Sequence, residues 1–131
     1  MFQNILERVY INLTNVELEV REGFFGASKI KAYDEVSFEL EEDILHVFFD
    51  RKLTADAKDP VTLSVKYKID WHVLDRAKIK EMLSKRLNNI QMNEIVAAAP
   101  AKSSLLISQM LDAANLPLVV LPPNYLGSDD K

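Results

Sequence analysis

The two histidines are the residues of this chain best suited to chemistry, because an imidazole can act as a general base or bind a metal near neutral pH. His46 falls within one predicted strand and His72 follows another. Neither belongs to a nucleophile motif such as G-x-S-x-G, and no grouping of His, Asp and Glu has the spacing of metal ligands. We therefore interpret both histidines as strand residues and expect no catalytic residue, metal or cofactor.

Glycine and cysteine contents exclude two further kinds of site. The three glycines, Gly23, Gly26 and Gly127, cannot build a phosphate-binding loop followed by a helix. The absence of cysteine excludes a disulfide framework, a thiolate nucleophile and a cysteine zinc site. Glu41-Glu42-Asp43 forms an acidic run that we interpret as the solvated tip of a hairpin. The sequence therefore does not predict an enzyme.

Composition and charge are those of a small globular protein. The 131 residues suffice for one core, so we expect a single domain over residues 1–131, and 48% hydrophobic with 27% charged residues is ordinary for such a domain. A net charge of −4 argues against a nucleic-acid or anionic-membrane partner. The chain begins without the basic and apolar regions of a signal peptide, and no apolar run reaches the ~20 residues of a spanning helix. We expect a cytoplasmic protein without membrane insertion.

Alternating apolar and polar residues predict four strands of a sheet with one wet face. The alternation is clearest over Val16–Val20, Val36–Leu40, Leu45–Phe49 and Val61–Trp71. A loop from Glu22 to Asp34 separates the first two strands, whereas Glu42-Asp43 allows a tight turn between the second and third. Because the long connection can cross over the sheet, we expect the antiparallel strand order 2-3-4-1.

Two helices are predicted after the strands. Asp75 is a plausible N-cap for a short helix that extends to about Leu87, and a long helix follows from Gln91 to Leu116-Pro117. Pro100 should bend the long helix or divide it into two pieces. The expected fold is α+β, with one face of a four-stranded antiparallel sheet covered by the short helix and the long C-terminal helix.

The long helix is apolar over so wide an arc that we expect it to pack on the sheet and also on another copy of the chain. The candidate interface residues are Ile95, Ala99, Leu106 and Met110. We therefore expect a homo-oligomer, either a dimer or a tetramer.

Two apolar segments have alternative interpretations. Phe24 and Phe25 are adjacent aromatic residues in a loop that glycines flank. They either anchor the loop against its own helix or form an exposed contact site for a partner. Residues 118–121, with the sequence LVVL, either close the core or line a groove beside the same loop.

An ordered set of motifs after the four strands resembles the SecB family of protein-export chaperones over nearly the whole chain. The motifs are Asn93-Glu94-Ile95, Pro100-Ala101-Lys102, a Leu- and Ile-rich stretch, and the closing LPLVVLPPNY of residues 116–125. The resemblance implies four antiparallel strands with a crossover after the first, followed by a long helix. It also implies an ATP-independent holdase that keeps newly made polypeptides unfolded for export and works as a dimer of dimers.

The resemblance also implies where partners bind. In the family, peptide grooves near the crossover loop and helices are lined by aromatic and aliphatic side chains, which here would be Phe24, Phe25, Ile30, Tyr33, Leu118, Val119, Leu121 and Tyr125. The family docks the export motor SecA on acidic residues of the polar sheet face, where this chain has Glu17 and Glu19. Strand four carries Ser64, Lys66 and Lys68 instead, so we expect weak docking or none.

Departures from the family pattern leave two other functions open. After Tyr125 the family continues into a second helix and an acidic tail, whereas this sequence ends at LGSDDK. A SecB-fold protein dedicated to one client, such as an antitoxin-type, phage or mobile-element partner, is the first alternative. A carrier of a small ligand between the sheet and the long helix is the second.

Overall fold

The computed structural model describes residues 4–19, 30–55, 62–113 and 121–126. Within these residues, four strands are followed by three helices: β1 (Leu6–Glu19), β2 (Ile30–Glu41), β3 (Ile44–Ala55), β4 (Thr62–Val73), α1 (Arg76–Leu83), α2 (Asn89–Val96) and α3 (Ala99–Ala113). The strands form one antiparallel sheet in the order β1-β4-β3-β2. The predicted α+β fold and strand order are confirmed, with a crossover between β1 and β2.

The β2–β3 hairpin has the predicted two-residue turn at Glu42-Asp43. Glu42 has a φ of 54°, in the left-handed region that two-residue hairpin turns use. Counting outward from this turn fixes the register, so Leu40 lies opposite Leu45 and Asp34 lies opposite Arg51. Every second residue of the hairpin therefore faces the helices.

Three strands are longer than predicted. β3 continues past Phe49, where the predicted alternation ended, to Ala55. β2 begins at Ile30, so the prediction of a loop as far as Asp34 was wrong. Asp34 occupies an inward position where an apolar residue would continue the alternation. Because this residue is charged, the alternation did not predict the first part of β2. β1 begins at Leu6 rather than near Tyr10, and its register shifts beside Arg8, which has a φ of 53°.

The core lies between the inner face of the sheet and the three helices. The central strands supply the fully buried side chains Leu45, Val47, Phe49, Leu53, Leu63, Val65 and Ile69. The helices supply Ile79, Ile95, Val96, Ala99, Ile107 and Leu111. Each large apolar side chain buried here stabilises the fold by roughly 1.5–3 kcal/mol. These contacts hold the helical layer on the sheet.

The predicted long helix is divided in two, which was one of the two outcomes expected from Pro100. α2 ends at Val96, and α3 begins at Ala99 with Pro100 as its second residue. Proline fits the first turn of a helix because the missing N–H would have no helical partner there. The indole Nε1–H of Trp71 donates to the carbonyl of Ile95 at 2.8 Å and satisfies one acceptor at the end of α2.

Side chains cap both shorter helices. The carboxylate of Asp75 accepts the backbone N–H of Lys78 at 3.1 Å, which confirms the predicted N-cap of α1. Asn88 and Gln91 form a capping box that starts α2 at Asn89, two residues before the predicted start at Gln91. Among the described helices, none combines the length and apolar content needed to cross a bilayer.

Candidate functional site

A buried ion pair occupies the inner face of the sheet between β2 and β3. Arg51 donates from Nε to Oδ1 of Asp34 and from Nη2 to Oδ2, both at 2.8 Å. Both side chains are 0% exposed. A buried guanidinium needs acceptors for all its N–H groups, because an unpaired buried charge costs several kcal/mol. The remaining donors of Arg51 therefore identify what the pair holds in place.

The remaining donors of Arg51 reach the closing segment, which we define as residues 121–126. Nη1 donates to the carbonyl of Pro122 at 2.6 Å, and Nη2 donates to the carbonyl of Asn124 at 2.7 Å. Oδ2 of Asp34 accepts the backbone N–H of Leu126 at 2.7 Å. The ion pair therefore fixes the path of the closing segment through three main-chain groups.

Helices α2 and α3 hold the same segment from the other side. The Ser104 hydroxyl donates to the Pro122 carbonyl at 3.0 Å and accepts from Nη1 of Arg51 at 2.5 Å. The side-chain oxygen of Asn93 accepts the backbone N–H of Tyr125 at 2.8 Å. Leu121 and Tyr125 are half-buried and pack against the core. The closing segment is thus held in the helical layer by specific hydrogen bonds.

The ring of Tyr125 lines a groove of about 600 Å³ between β2, the end of α1, the α1–α2 connection and α2. We call it the linker groove, and its lining consists of Phe38, Leu83, Lys85, Arg86, Leu87, Asn88, Asn89, Met92 and Tyr125. Its apolar members are half-buried, so each presents part of its surface to the groove. The volume lies within the range of about 300–1,000 Å³ that binding sites commonly have. Such a groove can accept several apolar side chains.

A smaller cavity of about 420 Å³ lies next to the linker groove. We call it the α1 cavity, and it is lined by Ile5, Lys78, Glu81, Met82, Lys85, Arg86, Leu87 and Gln91. Lys85, Arg86 and Leu87 line both spaces. The connection between α1 and α2 therefore separates two depressions that are lined by both apolar and polar side chains, and it carries two cations between them.

The Tyr125 hydroxyl lies in a partly desolvated, charged environment. Burial raises the pKa of this hydroxyl, the carboxylate of Asp34 raises the pKa further, and the cation of Arg86 lowers it. The hydroxyl therefore stays protonated at neutral pH, so it can donate a hydrogen bond to a carbonyl in the linker groove.

The two histidines lie on the outer face of the sheet and pair with carboxylates. Nδ1 of His46 lies 2.6 Å from Oδ1 of Asp70, and Nδ1 of His72 lies 3.0 Å from Oε1 of Glu7. His46 belongs to β3 and His72 to β4, which confirms the interpretation of both as strand residues. Within the described ranges, no three His, Cys, Asp or Glu side chains are grouped as metal ligands.

The structure brings together only part of the predicted peptide site. Leu121 and Tyr125 lie together on the closing segment. Ile30 begins β2, and Tyr33 lies opposite Lys52 in the register, on the outer face of the sheet. The sheet therefore separates Tyr33 from the closing segment. The other predicted residues, Phe24, Phe25, Leu118 and Val119, lie outside the described residues.

The predicted oligomer residues divide into two groups. Ile95 and Ala99 are fully buried in the chain's own core, whereas Leu106 and Met110 are half-buried and pack at its margin. Leu105, which the sequence analysis did not single out, is 62% exposed on α3. An interface on this helix would therefore use Leu105, Leu106 and Met110.

The predicted docking residues lie on β1, at one edge of the sheet. Glu17 is exposed opposite Ser64, and its Oε1 accepts a hydrogen bond from the side chain of Asn15 at 3.0 Å. Glu19 ends the strand opposite Thr62. Lys66 lies opposite Asn15, so Glu17 and Lys66 each face a neutral residue across the strand pair.

The residues that build the site were not predicted from the sequence. Arg51 and Asp34 occupy inward positions of adjacent strands, and a charged residue at each of two paired inward positions is a usable signal. Lys85 and Arg86 belong to a basic stretch on and after α1 that was not considered. Phe38 of β2 also lines the linker groove. The strand that carries Phe38 was predicted, but its place in a groove was not.

Comparison with known proteins identifies the fold. No protein-family model matches the sequence, and no curated protein matches it. The structure is similar to the Mycobacterium tuberculosis Rv1957 SecB-like chaperone in complex with a ChAD peptide from the Rv1956 HigA1 antitoxin, with a TM-score of 0.62 and 9% identity over 89% of this chain and 84% of that chain. It is also similar to a Streptococcus agalactiae protein of unknown function, with a TM-score of 0.52 and 13% identity over 89% of this chain and 98% of that one. The chain therefore has a SecB-like fold with a divergent sequence.

Proposed function

We propose that this chain is a chaperone that binds extended, non-native polypeptide segments and has no catalytic activity. The observation that carries the proposal is the linker groove, where half-buried Phe38, Met92 and Tyr125 present apolar surface beside the closing segment. Unfolded chains expose apolar side chains and unpaired backbone together, and such a groove offers contacts to both. The Rv1957 chaperone, which has a similar fold, carries a bound antitoxin peptide.

The proposed activity is that of an ATP-independent holdase acting on newly made polypeptides in the cytoplasm. Binding and release would follow from the affinity of the groove alone, so the activity requires no cofactor. Export is the cellular process that we assign to such clients, on the strength of the SecB-like fold.

A second candidate is a chaperone with one dedicated client. The antitoxin peptide on the Rv1957 chaperone is the observation that favours it, because that protein shares this fold. The two functions differ in specificity: a general holdase binds many unfolded chains, whereas a dedicated chaperone rejects most of them.

Binding of a labelled unfolded protein, together with suppression of its aggregation, tests the proposal. Replacing Leu87 and Met92 with Ser should weaken binding about tenfold, because two apolar contacts are removed from the groove. The matched control replaces Leu74 and Ile90, which are exposed and line neither cavity. Equal affinities of both variants for the unfolded protein would contradict the proposed site. Failure of the wild type to bind unrelated unfolded proteins would favour the dedicated client.

The crossover loop has its own test, because Phe24 and Phe25 lie in it. Replacing both with Ser should leave the fold intact and weaken binding of the same unfolded protein. Unchanged affinity would show that the two rings do not contact the client.

Two surfaces support a homo-oligomeric state. Leu105 is exposed on α3, and Tyr10 and Leu13 are exposed on β1. Within the described residues, β1 pairs with β4 alone and leaves one edge of the sheet open to another chain. Light scattering at micromolar concentration should give the mass of a dimer or a tetramer. A monomer that binds no apolar dye would contradict this state.

Docking to SecA is expected to be weak. Lys66 is exposed on the same face as Glu17, and a cation in an acidic docking site opposes a basic partner. Calorimetry at low and at physiological salt measures the affinity. Tight binding at physiological salt that is lost on Glu19→Lys would show ordinary SecA docking.

A further inference from the structure

We propose that the linker groove selects client segments whose apolar residues are flanked by Asp or Glu. This inference rests on the proposed function and adds the charge class of the client. It comes from the distribution of basic residues around the α1–α2 connection and from the absence, within the described residues, of an ion pair at Lys85 or Arg86.

The region around α1 is strongly basic in an otherwise acidic chain. Residues 76–91 contain five Lys or Arg residues and one acidic residue, whereas the whole chain has a net charge of −4. The basic residues are Arg76, Lys78, Lys80, Lys85 and Arg86. A local field of this sign attracts anionic groups and repels cationic ones.

Two of these cations lie at the groove itself. Lys85 and Arg86 are exposed and line both the linker groove and the α1 cavity. In the part of the chain that the structure describes, neither side chain forms an ion pair. Lys52, by contrast, lies 3.2 Å from Glu35, and Arg51 is fully paired with Asp34. The two groove cations therefore keep their charge available for a bound chain.

Among the described residues, the carboxylates nearest this field line an adjoining pocket rather than the linker groove: Asp34, Glu35 and Asp50 share that pocket of about 660 Å³ with Arg86 and Tyr125. Asn88 and Asn89 form the neutral part of the lining of the linker groove. Asp34, which lies near Tyr125, is neutralised by its ion pair with Arg51. Glu81 lines only the α1 cavity. The described lining of the linker groove thus combines apolar side chains with cations and no carboxylate.

Such a lining distinguishes clients by charge. An apolar side chain of a client fills the groove, and a neighbouring carboxylate meets Lys85 or Arg86 at its rim. A client lysine at the same place meets like charge and loses affinity. Because the cations are solvent-exposed, two new ion pairs should improve affinity only about fivefold at low salt.

The test uses three labelled peptides with the same Phe and Leu positions, flanked by Asp, Asn or Lys, and measures their affinities by fluorescence anisotropy. The Asp peptide should bind about fivefold tighter than the Asn peptide, with the Lys peptide weakest. The advantage should shrink as salt rises, because screening acts over about 8 Å at physiological ionic strength.

A charge-matched pair of variants locates the effect. Lys85→Glu/Arg86→Glu should abolish or reverse the preference for the Asp peptide. The control, Lys80→Glu/Lys102→Glu, changes the net charge equally at exposed positions that line neither cavity, and it should keep the preference.

The outcomes separate this inference from the proposed function. Equal binding of the Asp and Asn peptides, or a preference for Lys, overturns the charge selectivity but leaves polypeptide binding intact. An equal loss of preference in both variants overturns the assignment to Lys85 and Arg86. If no peptide binds to the wild type, the proposed function fails and the selectivity fails with it.

Discussion

Asp34 and Arg51 lie directly opposite each other in the β2–β3 hairpin and form a two-bond ion pair in the core. The guanidinium carbon of Arg51 also lies 5.7 Å from the centre of the Phe49 ring on the same face. A buried ion pair is weak evidence for stability by itself, because desolvation offsets its attraction. Here the pair also holds the main chain of the closing segment, so it links the hairpin to the candidate groove.

Removing one member of this pair should be strongly destabilising. We expect Arg51→Met to lower the free energy of unfolding by about 3–5 kcal/mol, because Asp34 would remain as an unpaired buried charge. Adding Asp34→Leu should recover part of the loss. Urea denaturation of both single variants and the double variant measures these free energies. Lys52→Met on the opposite face is the control, and a similar loss there would show that the pair has no special role.

The hairpin shows how much of this arrangement the sequence predicts. Alternation and the two-residue turn predict the start of β3, although the strand continues past Phe49 to Ala55. Counting outward from Glu42-Asp43 then pairs Asp34 with Arg51. The predicted second strand begins only at Val36, because Asp34 breaks the apolar alternation. Burial of a charged residue at an inward position can be predicted only when its partner on the neighbouring strand is considered with it. The two strands must therefore be considered as a pair.

The linker groove is less accessible to sequence reasoning. Its walls come from β2, α1, α2 and the closing segment, which are brought together by packing rather than by periodicity. The sequence predicted α1 through Leu87, whereas the helix ends at Leu83 and residues 84–88 form the connection. Local helix propensity did not determine where α1 ends. The connection between α1 and α2 places Lys85 and Arg86 at the linker groove.

The bond between Asn93 and Tyr125 should control the local stability of the closing segment. We expect Asn93→Ala to cost about 1 kcal/mol and to speed amide exchange at Tyr125, because the Tyr125 N–H loses its acceptor. Asn93→Asp keeps an oxygen acceptor at the same position, although it loses the side-chain donor to Asn89. Hydrogen exchange measured by NMR compares the two. Equally fast exchange of the Tyr125 amide in both variants would argue that this acceptor is not what protects it.

Glu42 is a site where a single substitution should stabilise the chain. Its φ of 54° is costly for a residue with a Cβ and costs glycine nothing in steric terms. We expect Glu42→Gly to raise the free energy of unfolding by about 0.5–1 kcal/mol, after allowance for the greater freedom of glycine in the unfolded chain. Glu41→Gly, at the end of β2, should destabilise instead. Thermal unfolding of both variants checks the difference, and a loss at Glu42 would show that its side chain matters more than its backbone.

Tyr125 should make the stability of the chain depend on alkaline pH. Burial is the main cause that raises the pKa of this hydroxyl above its ordinary value of 10.0, and Asp34 raises it further. Burial also raises the pKa of Tyr67. The folded chain thus favours the protonated phenol. This preference contributes fully to the free energy of unfolding below about pH 10, and the contribution is lost as the pH rises through the pKa of the folded state.

Substitution of these tyrosines separates their contributions to that loss. Tyr125→Phe removes the titrating hydroxyl, so the free energy of unfolding should fall less steeply above about pH 10 than in the wild type. Tyr67→Phe should have an effect of the same sign. Urea denaturation across this pH range gives the profiles. An equally steep decline in the wild type and in Tyr125→Phe would show that the Tyr125 hydroxyl is not desolvated in the folded chain.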